Sequence, residues 1–248
     1  MIDLPTCGVV AGSGVRVPWA AISELRKTPG SYRGQSLAGL VRQSDEQTVL
    51  ALAAVMQTIE RAGWNDRSFE NWGVVASGRS FGRVRFDTAI ERYRRMHTRG
   101  ASPLVVPHLS LHAMSGTLSI ALGMHGPNFG VSGQANHLGE TLLAGLGTIQ
   151  REAVEGLWVV ACDFDPEPSL DENGEPANDV VGHAAALAIS HDDAKIELTL
   201  GPGIQTGGTL RGLVDWLEAP GLSSWRCGVA GVGVLDMIRA APALRRAG

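Results

Sequence analysis

The sequence predicts an α/β protein in which helices cover both faces of a sheet, and three observations carry that prediction. A helix signature over residues 44–63 is followed by a strand-like run at 72–77, the αβ alternation of a layered fold. Residues 157–162, LWVVAC, are a continuous apolar run, the pattern of a strand buried on both faces. Residues 101–139 contain no Asp, Glu, Lys or Arg in a chain that is 19% charged. So long an uncharged segment predicts burial, because a lone ion is costly to desolvate.

Length and composition bound the rest. A chain of 248 residues, 44% hydrophobic, has room for one large or two small domains and a substantial core. A formal charge of −4 argues against nucleic acid as a partner. Cys7, Cys162 and Cys227 are odd in number and widely spaced, which predicts reduced thiols and neither a disulfide frame nor a zinc site. Prolines, histidines and amides interrupt the uncharged segment, so no membrane span is predicted. The opening MIDLPTCGVV lacks a basic region before an apolar core, so no signal peptide is predicted and the expected location is cytoplasmic.

Taken in order, residues 7–15 form a first buried strand. Gly12-Ser13-Gly14 begins a dinucleotide-loop pattern, but Val17 stands where its last glycine belongs and Pro18 follows. Residues 19–43 predict a short helix and loops. Ser44-Asp45-Glu46-Gln47 reads as a capping box in which the Ser44 oxygen caps the Gln47 N–H. Its helix carries Val49, Leu52, Ala53, Met56 and Ile59 as an apolar stripe and stops at Gly63. Residues 79–99 hold seven arginines beside Phe86, Ile90, Tyr93 and Met96, which predicts an amphipathic helix with a basic outer face.

The uncharged segment predicts a buried helix, a turn at 126–128, a strand at 129–132 and the start of a further helix over 138–153. That helix buries Leu142, Leu146 and Ile149. Its Gly139, Gly145 and Gly147 lower helix propensity, which predicts close backbone packing at each. Residues 163–179 predict an exposed acidic loop; Asp163 and Asp165 lack the further ligands a metal site needs. Strands at 180–190 and 196–200, a helix near 210–217 and an Arg-containing helix after Asp236 complete the chain.

Gly126-Pro127-Asn128-Phe129-Gly130-Val131-Ser132, followed by a small-residue helix, resembles the segment that leads into the nucleophile of β-ketoacyl synthases. In those condensing enzymes a strand ending in Val-Ser delivers a cysteine to a helix N-terminus, whose dipole and free N–H groups favour a thiolate. Here Ser132-Gly133-Gln134-Ala135-Asn136-His137-Leu138 contains no cysteine. Gln134-Ala135-Asn136-His137-Leu138 resembles the Gln-Ala-x-x-Leu of chain-length factors, the non-condensing partners of ketosynthases. That alignment puts Gln134, or one residue on Ala135, at the nucleophile position.

The resemblance covers residues 5–195 and implies a thiolase-like fold, as a single half: a five-stranded mixed sheet between helix layers. Its strands would be the runs near residues 7, 73, 129, 157 and 184. Gly182-His183-Ala184-Ala185 stands where the family favours Gly-Glu-Gly-Ala, a departure at His183. A second half would bring two histidines in His-Gly-Thr-Gly-Thr and Gly-His-type motifs, and residues 196–248 contain neither. Their absence also counts against loading-type decarboxylases. The expected organisation is a synthase-like domain over 1–200 and a C-terminal extension over 201–248 packing on it. Loss of a second half leaves apolar surface that the tail or a subunit must cover.

What the resemblance implies is a catalytically silent subunit with no cofactor. It would pair through residues 129–132 with an active ketosynthase, or with itself, in polyketide or fatty-acid-type biosynthesis. Pocket-lining candidates are Ser132, Gly133, Gln134, Asn136, His137, His108 and His112. Acyl carrier protein, an acidic partner in the family, makes Arg83, Arg85, Arg92, Arg95 and Arg99 docking candidates. Two alternatives stay open: a stand-alone homodimer binding an acyl chain or carrier protein, and an acyl-thioester enzyme using Ser132. Other chemistries fit less well. A GxSxG elbow around Ser132 needs glycine where Gln134 stands, and His108 and His112, spaced i, i+4, lack the Glu of HExxH because Leu109 occupies it.

Overall fold

β1 (Thr6–Pro18) is the longest strand and the seam of the protein. The computed structural model describes residues 5–100, 102, 103, 105–131, 135–171, 176, 179–191, 194–204, 207–219 and 221–240. β1 runs into α1 (Trp19–Lys27), a small hairpin of β2 (Ser31–Tyr32) and β3 (Gln35–Ser36), the single turn α2 (Ala38–Val41) and the long α3 (Glu46–Ala62). β4 (Trp72–Gly78) follows, then α4 (Arg83–Met96), a 3-10 turn at His97–Gly100, α5 (Val105–Leu109) and α6 (His112–Leu122). Next come β5 (Asn128–Val131), α7 (His137–Arg151), β6 (Gly156–Asp165), β7 (Val181–Ser190) and β8 (Ile196–Gly201). α8 (Leu210–Glu218), β9 (Ser224–Val229) and β10 (Gly233–Arg239) end the described chain.

The five expected strands are present and adjacent, in the order β5-β4-β6-β7-β1, but the sheet does not stop there. It continues through β8, β10 and β9 to eight strands. β4 pairs in parallel with β5 and β6, and every other pair is antiparallel, so the sheet is mixed as expected. Where a helix was expected after Asp236, residues up to Arg239 belong to β10, with Asp236 inside the strand and opposite Arg226 of β9, while residues 241–248 of that expectation lie outside the described residues. Alternation decides this: in β9, Trp225, Cys227 and Val229 are buried while Ser224 and Arg226 are exposed, the period-two pattern of a strand with one covered face.

Helices occupy both faces, and each face has its own core. Alternate residues of one strand point to opposite sides: Val74 and Ala76 join the core under α3 and α6, whereas Val75 joins the core under α7 and α8. An aromatic nest closes one end of the first core. Phe69 packs edge-on against Trp72 at 5.0 Å and Trp158 at 5.5 Å, and Arg67 lies 4.5 Å over the Trp64 ring.

The Gly12-Ser13-Gly14 run belongs to packing. Ser13 faces α3, where its hydroxyl donates to the Ala54 carbonyl at 2.9 Å and lies 2.6 Å from Thr58 Oγ1. Gly12 and Gly14 face the other way, and a Cβ at Gly14 would sit 2.8 Å from Val214 Cγ1 of α8. The two glycines let α8 rest directly on the sheet.

Several local expectations need correction. The N-cap of α3 is Asp45, which accepts from Thr48 N at 2.9 Å, while the Ser44 hydroxyl turns back to donate to Leu40 O. Gly63, with φ of 70°, ends α3 as expected. α3 also buries Leu50, Ala51, Ala54 and Val55 beyond its expected stripe. α4 is the opposite case: it is amphipathic, yet none of its residues is buried. In α7, close packing explains Gly145, where a Cβ would meet Val159 Cγ2 at 2.5 Å, but not Gly147, which has nothing within 4 Å. Asp163 belongs to β6 and is buried; the expected loop 163–179 therefore starts later.

The uncharged segment is buried only in part. α6 buries Ala113, Met114, Ser115, Leu118, Ser119, Ala121 and Leu122, but Leu111, against Gly130 of the half-buried β5, is 48% exposed, and Ile120 is 69% exposed. β5 is the terminal strand of the sheet, hydrogen-bonded to β4 on one side.

Candidate functional site

The start of α7, where the family resemblance places a nucleophile, is built over the ends of β4 and β6. Ser132, Gly133 and Gln134 lie outside the described residues. Ala135 and Asn136 are exposed, and Asn136 occupies the N-cap position without a side-chain capping bond. His137 is 2% exposed and turns inward. One helical turn on, the buried Thr141 hydroxyl donates to the His137 carbonyl and lies 2.6 Å from Ser77 Oγ, tying the helix to the end of β4. A hydroxyl pair under a helix start satisfies its own hydrogen bonds and leaves a neutral floor.

On the same face of the sheet, β6 and β7 bring Asp163 and His183 directly opposite each other. His183 is 1% exposed, and its Nδ1 stands 3.6 Å from Asp163 Oδ1, longer than a hydrogen bond. The sequence shows His183 only as a departure from a family pattern. Its carboxylate neighbour was not legible, because cross-strand register joins residues twenty positions apart only once the strands pair.

None of the three cysteines offers a thiolate. Burial pushes the Cys7 thiol up to about 12 and Cys227 to about 11. Burial, reinforced by the nearby Asp45 and Asp163 carboxylates, holds Cys162 well above the ordinary thiol range. A thiol protonated at neutral pH is a poor nucleophile. Among the described residues no cluster of three His, Cys, Asp or Glu side chains is arranged to hold a metal.

The remaining candidates fall into different places. His108 and His112 do not share a helix face, because the chain breaks between α5 and α6. His108 lines a cleft between α1, α4 and α5, while His112 is exposed at the start of α6 with Nδ1 3.4 Å from Ser115 Oγ. The five arginines also divide. Arg83 pairs with Glu167, and Arg85 pairs with Glu46 at 3.0 Å. Arg92, Arg95 and Arg99 are exposed and make no ion pair among the described residues.

The tail covers the α7 side of the sheet. Leu213 and Trp216 of α8, Cys227 and Val229 of β9, and Leu235 and Met237 of β10 share one core with Leu138, Leu142 and Leu146 of α7. The approach at the helix start is close: a Cβ at Gly139 would lie 3.2 Å from Gly228 O.

Comparison with known proteins bears on this architecture. Residues 8–134, just over half of the chain, match the beta-ketoacyl synthase N-terminal domain. No curated protein matches the chain by sequence. Among solved structures, a ketosynthase in complex with its chain length factor from Xenorhabdus doucetiae is similar, with TM-score 0.53, 15% identity, and coverage of 79% of this chain and 60% of that one. A β-ketoacyl synthase from Burkholderia phymatum gives TM-score 0.56 and 14% identity over 79% of this chain and 63% of that one. A type II polyketide acyl carrier protein in complex with its hexaketide-bound ketosynthase gives 0.52 and 13% over 76% and 63%. The chain thus spans less than two thirds of the length of each of these proteins. At such identities the likeness is one of fold, a thiolase-like arrangement of helices about a mixed sheet. With the match over residues 8–134, the chain belongs to the β-ketoacyl synthase family through its N-terminal domain.

Proposed function

We propose that this chain is a catalytically silent ketosynthase-like subunit, of chain-length-factor type, that pairs with an active β-ketoacyl synthase through the open edge at β5. The observation that carries the reading is an uncharged surface left exposed along a sheet edge. β5 ends the sheet, and Leu111, whose backbone and Cβ lie against Gly130 of β5, is 48% exposed. An unpaired strand flanked by apolar side chains is a template for another chain, and proteins that stay monomeric blunt such edges with charge. Residues 101–139 carry none.

Silence follows from chemistry. No cysteine lies in residues 131–138, and the three cysteines elsewhere are buried and protonated. On this reading Ser132, Gly133, Gln134, Asn136 and His137 shape or plug a pocket and make no bonds. Residues 1–200 act as the synthase-like unit, and 201–248 as an extension standing where a second half stands in two-half synthases. The acidic carrier protein of such a cytoplasmic pathway would meet Arg92, Arg95 and Arg99, since Glu167 and Glu46 already engage Arg83 and Arg85.

Native mass spectrometry after co-expression with an active ketosynthase tests the pairing. A one-to-one heterodimer is expected, weakened about tenfold or more by Leu111→Asp without a change in melting temperature. A homodimer that ignores the synthase would turn the case toward a stand-alone acyl-chain or carrier-protein binder. Acyl-thioester turnover by the lone protein, lost in Ser132→Ala, would end the silent reading.

A further inference from the structure

The cleft between α1, α4 and α5 is wide, apolar-walled and one-sided in its charge. Its volume of about 1070 Å³ is on the scale of a small-molecule site. Ile22 and Trp19 of α1, Ile90 and Tyr93 of α4, and Val105 and Leu109 of α5 form its walls. Ile90 and Tyr93 are 37% and 51% exposed, so α4 turns its apolar stripe toward the cleft without filling it. Ile22 belongs to the core under α3 and α6, across the sheet from α7. The cleft includes no residue of β5, the edge strand on which the silent-subunit reading rests, and shares only Arg92 with the carrier-protein surface proposed above.

The ionic groups lining the cleft are three guanidiniums, Arg26, Arg85 and Arg92, and one carboxylate, Glu46, with His108 as the imidazole. Glu46 Oε1 is shared, lying 2.7 Å from Arg26 Nη2 and 3.0 Å from Arg85 Nη2. One carboxylate between two guanidiniums leaves a residual positive charge, and Arg92 adds another without an ion pair among the described residues. Apolar walls favour a hydrocarbon body, and uncompensated cations beside them favour an anionic end. A neutral lipid would leave the cations unmatched, and a small polar anion would leave the walls wet.

We infer that this cleft binds a long-chain carboxylic acid, its hydrocarbon chain along the α4 stripe and its carboxylate toward Arg85 and Arg92. The inference does not depend on pairing with a synthase, and its test uses neither a synthase nor a carrier protein.

cis-Parinaric acid, whose fluorescence rises in an apolar site, is titrated into the full-length protein and then displaced by palmitate or by cetyl alcohol. Palmitate is expected to displace it at a concentration about tenfold or more below that of the alcohol, the worth of one charge-assisted hydrogen bond. Arg92→Ala should bring the two competitors within about threefold of each other. Ile90→Asp, at a position exposed enough to leave folding intact, should weaken parinarate binding about tenfold or more. Ile120→Asp, an exposed apolar site on α6 outside the cleft, should leave it unchanged. Equal displacement by acid and alcohol, full binding in Ile90→Asp, or loss of binding in Ile120→Asp would each overturn the inference.

Discussion

α3 and α4 are written in the same pattern and end in opposite places. Each is a multi-turn helix with an apolar stripe at helical spacing, yet α3 buries ten of its residues and α4 buries none. The difference lies off the stripe. α3 carries Ala51, Ala54, Thr48, Thr58 and Gln47 on its other sides, small or able to hydrogen-bond inside the protein. Thr58 Oγ1 donates to Ala54 O at 2.8 Å, and Gln47 Nε2 to Arg79 O at 2.6 Å. α4 carries Arg83, Asp87, Glu91 and Arg94 there, ions that burial would strip of water at a cost their exposed pairs, Arg83–Glu167 and Arg94–Glu91, do not repay. Periodicity marks a helix; the residues off the stripe decide how deep it sits.

The bluntest way to break that comparison is to truncate one apolar residue on each helix. Leu50 is fully buried in α3, and Leu50→Ala should cost about 2–5 kcal/mol through lost transfer energy and a residual cavity. Ile90 on α4 is 37% exposed, and Ile90→Ala should change stability by no more than ~0.5 kcal/mol. Urea midpoints of the two variants against the parent measure both. Comparable losses would mean that α4 is covered in solution by something that buries its stripe.

Much of this was legible in the sequence, and the gaps have physical causes. LWVVAC announced β6, a strand buried on both faces, and Gly63 announced the end of α3. The missing glycine at Val17 correctly removed a phosphate loop, although only the approach of Val214 to Gly14 showed what those glycines are for. The sheet's three further strands were less visible: β8 was expected, but β9 and β10 are short and interrupted by polar residues. Trp225, Cys227 and Val229 did alternate, a signal that could have found β9. The Asp163–His183 pairing was hidden because register is a property of paired strands, not of either run alone. The open stripe of α4 was hidden for a related reason: a helix sequence states which side is apolar, not whether anything lies against it.

A second test compares the helix starts. α3 is capped by Asp45, 3% exposed, whose carboxyl is pushed up to about 7, first by burial and then by the charge of Glu46, against the opposing hydrogen bonds from Thr48. α4 is capped by Gly82, which has nothing to titrate. Because the folded protein holds the Asp45 proton more tightly than the unfolded chain, this group's contribution to stability is fully present below about pH 4. It is lost as pH rises toward about 7. Asp45→Asn keeps an oxygen to accept from Thr48 N and removes the ionisation. The variant should therefore gain on the parent with rising pH, by on the order of 1–3 kcal/mol at about pH 8 and much less at about pH 4.5. A parallel pH profile for the two proteins would place the Asp45 carboxylate in contact with water.

The smallest effect separates the two helices by the reach of their ion pairs. Near the end of α3, Arg61 grips Glu218 of α8 through two contacts, Nη1 at 2.6 Å and Nη2 at 2.8 Å, and Glu218 also accepts from Gly14 N at 3.1 Å. That pair joins α3, β1 and α8. On α4, Arg94 pairs, among the described residues, with Glu91 one turn away in its own helix. Both pairs are well exposed, Arg61 at 50% and Arg94 at 69%, so water and salt screen each. Arg61→Ala should cost about 0.5–1 kcal/mol, because a bidentate pair held by a third contact retains more of its geometry. Arg94→Ala should cost about 0.2–0.5 kcal/mol, the worth of a local helix pair. Urea midpoints at low and at high salt distinguish them: the Arg61 deficit should shrink with salt yet stay the larger. If the Arg94 deficit were the larger, α4 would be held in place by its surface charges, and its lack of buried residues would no longer explain its position.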